Sequence, residues 1–311
     1  MSGTPAVPGN SLETLPDCAT DPVTSLVAEF VDKRMGGRIA QGQDPVLRPV
    51  FGKFHGVARG VLTVNPALPP DLSIGFLRAA KEKKGLAAWV RFSSDVLPDR
   101  LDLRRTTGVG IKLFGVPGPK LTEQESRADP QDLVLQNQDN FFVDTARDMC
   151  EFQQDPLAYR RDHPVTHRIL REKRKPEESV LTATYWGVLP YAFGTDRHVK
   201  YKLVPAGCAQ GDPHATPAAE NSFLRGDLQY RPAADEVAFD LLLQFRTDPD
   251  SMPLDRATVR WGEIAERPGE GGEADPAPAG RHGPRPGGLR GQLHLQPLAQ
   301  PARAPTGRQP R

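Results

Sequence analysis

The sequence is poor in cysteine and has almost no net charge. It contains three cysteines, Cys18, Cys150 and Cys208, and its 40 Lys and Arg against 39 Asp and Glu leave a net charge of +1. An odd number of widely spaced cysteines fits neither a disulfide framework nor a zinc site and favours a reducing compartment. The balanced charge excludes the basic excess that is typical of nucleic-acid-binding proteins. We therefore expect unpaired, buried cysteines and no nucleic-acid partner.

Long apolar runs and short chemical motifs are missing as well. No apolar window is long enough to span a bilayer, and residues 1–10 lack a basic region followed by an apolar one. The sequence has no metal-ligand spacing, P-loop, dinucleotide glycine fingerprint or nucleophile elbow. These absences predict a cytoplasmic protein with no membrane partner.

Short strand-like runs dominate what is present. With 38% hydrophobic and 25% charged residues, the chain has the composition of a globular protein with one sizeable core. Helical patterns are fewer and cover residues 71–84 and 156–174. Many strands with few intervening helices predict an α+β fold, an antiparallel barrel or sandwich with peripheral helices. The strand-like runs are residues 57–64, 86–92, 109–114, 199–204 and 237–245.

The C-terminal part differs in composition from the rest. Many of the 32 prolines and 29 glycines lie beyond residue 268, where Pro, Gly, Arg and Ala predominate. Such a segment buries too little apolar surface to offset its ordering entropy, so we expect a disordered tail. The predicted organisation is an N-terminal arm (1–45), a folded body (46–265) and a low-complexity tail (266–311).

Two segments carry residues that could act on a ligand. His55 precedes a glycine-flanked strand, where it could be a general acid/base or a hydrogen-bonded structural histidine. Arg91 lies inside an apolar strand, and a buried arginine needs an anionic partner. That partner could be a ligand carboxylate, Asp95 or Asp102, or the side chain could reach water at the rim.

A third segment, residues 132–143, crowds amide side chains in front of two phenylalanines. Asparagine is unfavourable inside strands, so the cluster predicts a bend or loop. Its amides either satisfy the local backbone or reach into a cavity, and Phe141 and Phe142 are more often core residues than a cofactor platform.

Five ordered blocks together resemble the catalase superfamily, specifically its short heme-binding catalase-related members. The resemblance covers roughly residues 45–262 and implies an antiparallel β-barrel with helices packed around it, with heme b as the cofactor. The blocks are Lys53–Gly56, Val90–Ser93, Gly108–Phe114, Asn137–Phe142, and Tyr185-Trp186 preceding Val199–Lys202.

The resemblance also implies roles for individual residues. Counted back from the following strand, the catalytic histidine of large catalases falls near Phe51, and since phenylalanine cannot transfer protons, His55 is the candidate acid/base. Asn137 would hydrogen-bond the peroxide. Ser93 would orient His55, Arg91 would pair with a heme propionate, and Val57 and Phe142 would contact the heme.

The proximal side of the heme departs from the family. There the iron is held by a tyrosine phenolate near the C-terminus, but the five tyrosines here are at 159, 185, 191, 201 and 230. One allowed choice of codons for residues 269–280, read with a shift of one base, encodes a strand resembling the one that the family has there. A similar choice for residues 294–304 encodes a segment resembling the one before the family's proximal helix. We hypothesise a frameshift near residues 266–270, which would leave the barrel with an exposed edge; re-sequencing tests this.

The resemblance implies heme-dependent decomposition of hydrogen peroxide or organic peroxides with a small reductant, impaired by loss of the proximal tyrosine, and it allows a homo-oligomer. One alternative is an enzyme resembling allene oxide synthase that acts on lipid hydroperoxides. Another is an inactive pseudo-catalase or small-ligand-binding barrel.

Overall fold

The computed structural model describes residues 18–120, 129–173, 176–206, 221–234, 237–262 and 290–297. The strands of these residues form one antiparallel sheet. They are β1 (Lys53–Val64), β2 (Leu86–Ser94), β3 (Thr107–Leu113), β4 (Gln131–Gln136), β5 (Tyr185–Trp186), β6 (Tyr191–Phe193), β7 (Arg197–Ala206), β8 (Val237–Phe245) and β9 (Arg290–Pro297).

The sheet curls into a barrel. Its strand order is β5-β4-β3-β2-β1-β9-β8-β7-β6, and β5 also pairs with β7, so the ring of hydrogen bonds closes while β6 lies outside it. The antiparallel α+β barrel expected from the sequence is therefore confirmed at the level of fold class.

Alternation of side chains along the strands fills the barrel. In β2, Leu86, Ala88, Val90 and Phe92 are buried and Trp89 is half exposed, because successive side chains of a strand point to opposite faces. The inward residues of the other strands join them in one continuous hydrophobic cluster. The core is thus the barrel interior, and the alternate side chains of the strands point to the outer face.

One strand comes from the segment predicted to be a disordered tail. β9 lies between β1 and β8, where Val61 pairs with His294 and Phe239 pairs with Leu293. Leu293 and Leu295 are buried in the core. The prediction of a disordered tail is therefore wrong for residues 290–297, and the exposed edge predicted with it is closed. The remainder of the predicted tail, apart from these eight residues, lies outside the described ranges.

Helices pack around the barrel, and none of those described is long and apolar enough to cross a membrane. Side chains fix several helix starts: Thr145 and Asp148 form a capping box, and Asp155 caps the next helix. Between α1 and α2, residues Ala28–Met35 continue the helix in wider, π-type turns. The helices are α1 (Pro22–Val27), α2 (Gly36–Ala40), α3 (Gly75–Glu82), α4 (Ala146–Gln154), α5 (Pro156–Asp162), α6 (Pro164–Glu172) and α7 (Phe223–Ala234).

A disulfide ties the N-terminal helices to the body. Cys18 and Cys150 are bonded, with their Cα atoms 5.6 Å apart, and both are buried. The expectation of unpaired cysteines is wrong for this pair, because residues 132 positions apart in sequence meet where α1 packs on α4. The cysteine pattern thus no longer supports a reducing compartment. Cys208 lies outside the described residues.

Candidate functional site

The outer face of strands β1 to β4 carries a shallow pocket of about 450 Å³. Strand register places Val57, Arg91, Gly110 and Val134 side by side across this face. The glycine has no side chain, so the middle of this row is flat. Val134 is 70% exposed and Trp89, one row further along, is 50% exposed. Exposed apolar side chains around a flat floor are typical of a surface that binds a planar apolar group.

Arg91 is the charged group of this outer pocket. Its guanidinium donates to Ser93 Oγ at 2.7 Å and to the carbonyl oxygen of Phe51 at 3.2 Å. Among the described residues it has no carboxylate partner, because Asp102 pairs with Lys53 instead. Burial, together with the charge of Arg48, lowers the pKa of Arg91 below its usual range. An uncompensated, half-buried guanidinium beside a second arginine is suited to binding an anion.

Phe51 forms one wall of the pocket and is held there by its backbone and by Gly108. It has φ 50°, in the left-handed region that non-glycine residues rarely adopt. A Cβ on Gly108 would lie 2.7 Å from the ring of Phe51, so only glycine permits this packing. The wall is therefore a specific arrangement of an apolar ring, with no proton-transfer group.

A β-bulge puts His55 on the opposite side of the strand from the pocket. Phe54 pairs with Ser93 and Gly56 with Phe92, so His55 is an extra residue in β1. Its Nε2 lies 2.7 Å from Oγ of Ser94, and its side chain is 1% exposed. The predicted contact between His55 and Ser93 is therefore wrong: the hydroxyl that contacts His55 is that of Ser94.

The surroundings of His55 keep its ring neutral. Burial, with the positive charges of Lys53, Arg91 and Arg225, lowers the pKa of His55 to about 3. Its Nδ1 is buried and has no hydrogen-bond partner among the residues that the structure describes. An acid/base group must exchange protons with a bound substrate, and this ring does not line the outer pocket.

A buried ion pair lies near His55. Lys53 Nζ is 2.6 Å from Asp102 Oδ1, and both side chains are almost fully buried. The other carboxylate oxygen of Asp102 accepts from the backbone N–H of Leu224, in the first turn of α7. Burial raises the pKa of Asp102, and Lys53 opposes this shift. The pair joins β1 to α7 and has a structural role.

Asn137 and Phe142 lie away from the outer pocket. Asn137 Oδ1 accepts from the Thr107 backbone N–H at 2.9 Å, and its Nδ2 donates to Glu177 at 2.8 Å. Phe142 packs against Phe152 of α4, with Lys173 Nζ 4.8 Å from its ring centroid. The amide of Asn137 therefore hydrogen-bonds to neighbouring groups, and Phe142 packs against a helix. For both residues this is the structural role that the sequence left open, and not a role in ligand binding.

Of the predicted site residues, the structure brings together Arg91, Ser93 and Val57, and it separates them from His55, Asn137 and Phe142. Sequence reasoning did not assign the apolar wall and floor of the pocket. Counting back from the following strand leads to Phe51, but that position was considered only for proton transfer. The alternation Gly108-Val109-Gly110 could have shown a flat patch, since glycine is unfavourable inside strands.

Groups that could hold a metal are scarce in the described part of the chain. It contains no cluster of three or more His, Cys, Asp or Glu side chains. The residues that line the outer pocket include no histidine, tyrosine, cysteine or methionine, which are the side chains that ligate heme iron. The propionates of a heme would fit Arg48 and Arg91 of this pocket, but its lining offers no side chain that ligates heme iron.

The fold is similar to that of catalases of known structure. A bacterial catalase shares it with a TM-score of 0.55 and 15% identity, over 95% of this chain and 54% of that one. A fungal catalase shares it with a TM-score of 0.57 and 16% identity, over 84% and 52%. This chain thus spans about half the length of these catalases. Comparison with protein families finds no match, and comparison with curated proteins finds none either.

Proposed function

We propose that this chain is a small-ligand-binding protein with a catalase-like fold. Its outer pocket takes a flat, apolar molecule that carries a carboxylate. The observation that carries this proposal is Arg91, a half-buried guanidinium without a carboxylate partner among the described residues, beside a glycine floor.

Each part of the ligand has a matching part of the pocket. A carboxylate would lie at Arg91 with Arg48 nearby, because both residues line the pocket and the charge of Arg48 is close enough to lower the pKa of Arg91. A planar apolar body would cover Gly110 and contact Trp89, whose exposed ring is a large apolar surface. The ion pair of Lys112 and Asp132 at the other end neutralises itself.

A second candidate is heme-dependent decomposition of hydrogen peroxide or of organic peroxides. The observation that favours it is the similarity in fold to two catalases. When bound in such an enzyme, heme supplies the redox chemistry of the oxygen–oxygen bond. Here His55 would have to reach the cofactor from the inner side of β1. The frameshift hypothesis belongs to this candidate, since it accounts for the missing tyrosine.

Titration with hemin and with metal-free protoporphyrin IX separates the two candidates. If carboxylate recognition drives binding, both porphyrins bind with similar affinity, and Arg91→Gln weakens both about tenfold. Arg168→Gln, an exposed substitution on α6, is the matched control and should leave both affinities unchanged.

Oxygen release after addition of peroxide completes the experiment. Binding of hemin alone, with a phenolate-type spectrum and peroxide turnover, would establish the second candidate and contradict the first. Failure of both porphyrins to bind, or binding that Arg91→Gln does not weaken, would refute the proposed pocket.

A further inference from the structure

The barrel closes through its shortest strand, and this leaves a gap. β5 has two residues; it pairs with β4 only between Trp186 and Gln136, and with β7 at Leu203 and Lys202. Within the described ranges, the preceding residues of β4 therefore have no strand partner on this side. A cleft of about 460 Å³ lies there, bordered by the start of β4, by β6 and by Tyr201 of β7. We call it the seam cleft.

Aromatic rings form the walls of the seam cleft. The ring centroids of Tyr191 and Tyr201 are 5.5 Å apart, and those of Phe76 and Tyr201 are 5.7 Å apart. Phe193 also lines the cleft. Tyr191 is 39% exposed, whereas Phe76, Phe193 and Tyr201 are buried, so the ring of Tyr191 is accessible to another aromatic group and the other three form the floor beneath it.

The polar groups of the cleft are available to a ligand. No hydrogen bond within the described part of the chain satisfies the phenolic hydroxyl of Tyr191 or Tyr201, and Arg78 has no acidic partner there. Lys120 lines the same cleft, and its Nζ donates to the Val116 carbonyl at 2.7 Å, leaving further N–H groups. Two cations and two hydroxyls thus line the cleft beside its aromatic rings, together with Gln131 and the carboxylate of Asp132, which is paired with Lys112.

We propose that the seam cleft is a second binding site, for a small aromatic molecule that carries an anionic group. The ring of the ligand lies against Tyr191, Tyr201 and Phe76, and its anionic group faces Arg78 and Lys120. The few polar groups at the edge of an apolar cleft fix the orientation of such a ligand. This site shares only Asp132 and Leu133 with the outer pocket, and it does not depend on the function proposed for that pocket.

The probe for this site is 1-naphthoate, a flat aromatic carboxylate, followed by ligand-detected NMR with the full chain. Saturable binding with a Kd below about 1 mM is expected. Because the outer pocket is proposed to take a ligand of the same class, the titrations use the Arg91→Gln variant. In that background Tyr191→Ala removes the exposed ring that the ligand lies against and should weaken binding about tenfold. Arg78→Gln removes a charge-assisted hydrogen bond and should weaken binding about tenfold.

A control variant and a folding test locate the bound probe. Arg168→Gln changes an exposed arginine on α6 and, added to the Arg91→Gln background, should not alter naphthoate affinity at the seam. Circular dichroism and thermal unfolding of Tyr191→Ala confirm that the variant is folded. The proposal is overturned if the Arg91→Gln protein does not bind naphthoate, or if neither Tyr191→Ala nor Arg78→Gln weakens that binding.

Discussion

Lowering the pH should destabilise this protein through His55. Its Nε2 contacts Ser94 Oγ, and Nδ1 is buried, so a second proton on the ring would find no acceptor in the described part of the chain. The pKa of 6.5 expected for the unfolded chain falls to about 3 in the folded one, through burial and the neighbouring positive charges. The unfolded state therefore binds this proton more tightly. Stability is complete above pH 6.5 and declines as the pH falls from 6.5 towards 3.

The size of the effect follows from the two pKa values. At pH 5 the unfolded histidine is almost fully protonated and the folded one is neutral, so the free energy of unfolding is about 2 kcal/mol lower than at about pH 7.5. Below pH 3 the loss reaches about 5 kcal/mol. Carboxylates titrate mainly below this range, so the step between pH 7.5 and 5 belongs largely to histidine.

Urea unfolding followed by tryptophan fluorescence measures this step. His55→Gln places an amide near the position of Nε2 and removes the titration, so its unfolding free energy should change little between about pH 7.5 and 5. His167→Gln, at an exposed histidine, should behave as the wild type. An NMR titration of the His55 ring gives the same answer without a variant. A His55→Gln protein with the wild-type pH dependence, or a ring that titrates near 6.5, would refute the reasoning.

Three further outcomes are expected. Reduction of the Cys18–Cys150 disulfide, which joins residues 132 positions apart, should lower the unfolding free energy by about 5 kcal/mol in urea; an unchanged midpoint would show that the bond does not form. Asp102→Asn removes the counter-charge of the buried Lys53 ammonium, which keeps the carbonyl oxygens of Arg100 and Asn221 as acceptors, and should cost about 3 kcal/mol; a cost below about 1 kcal/mol would contradict the pairing. Lys53→Met together with Asp102→Leu should recover only part of this loss, because those two carbonyls and the Leu224 N–H then lose their partner. Tyr185→Phe removes the hydrogen bond to the Val180 carbonyl and should cost about 1 kcal/mol by thermal unfolding, and a neutral result would show that the bond contributes nothing.

Much of the barrel could be predicted from its sequence, because strand alternation is a local signal. The runs 86–92 and 237–245 correspond to β2 and β8 within two residues. On the outer face the same alternation puts Arg91 and Ser93 on one side, which is why these site residues lie together. The sequence predicts a bend or loop over residues 132–143, where the structure has β4. The asparagines after Gln136 disfavour a strand, and β4 is only six residues long, so its own pattern is too short to outweigh them.

The rest depends on interactions that the local sequence does not encode. A bulge inserts one residue into β1 and changes the face of His55 relative to Val57, although alternation alone would place both on the same face. β9 forms because its leucines reach a barrel that offers two unpaired edges, and tertiary packing overrides a composition unfavourable for structure. The disulfide likewise required the packing of α1 on α4.

The place of β9 has a consequence for biosynthesis. Residue 58 in β1 pairs with residue 297, so the barrel closes only after the ribosome has made residue 297. At typical elongation rates, roughly 12 to 48 s separate the emergence of these two partners. During that interval β1, and β8 once it has been made, present an open hydrogen-bonding edge to other nascent chains. Slow translation should therefore favour aggregation or chaperone capture of this protein more than it would for a barrel whose neighbouring strands are consecutive.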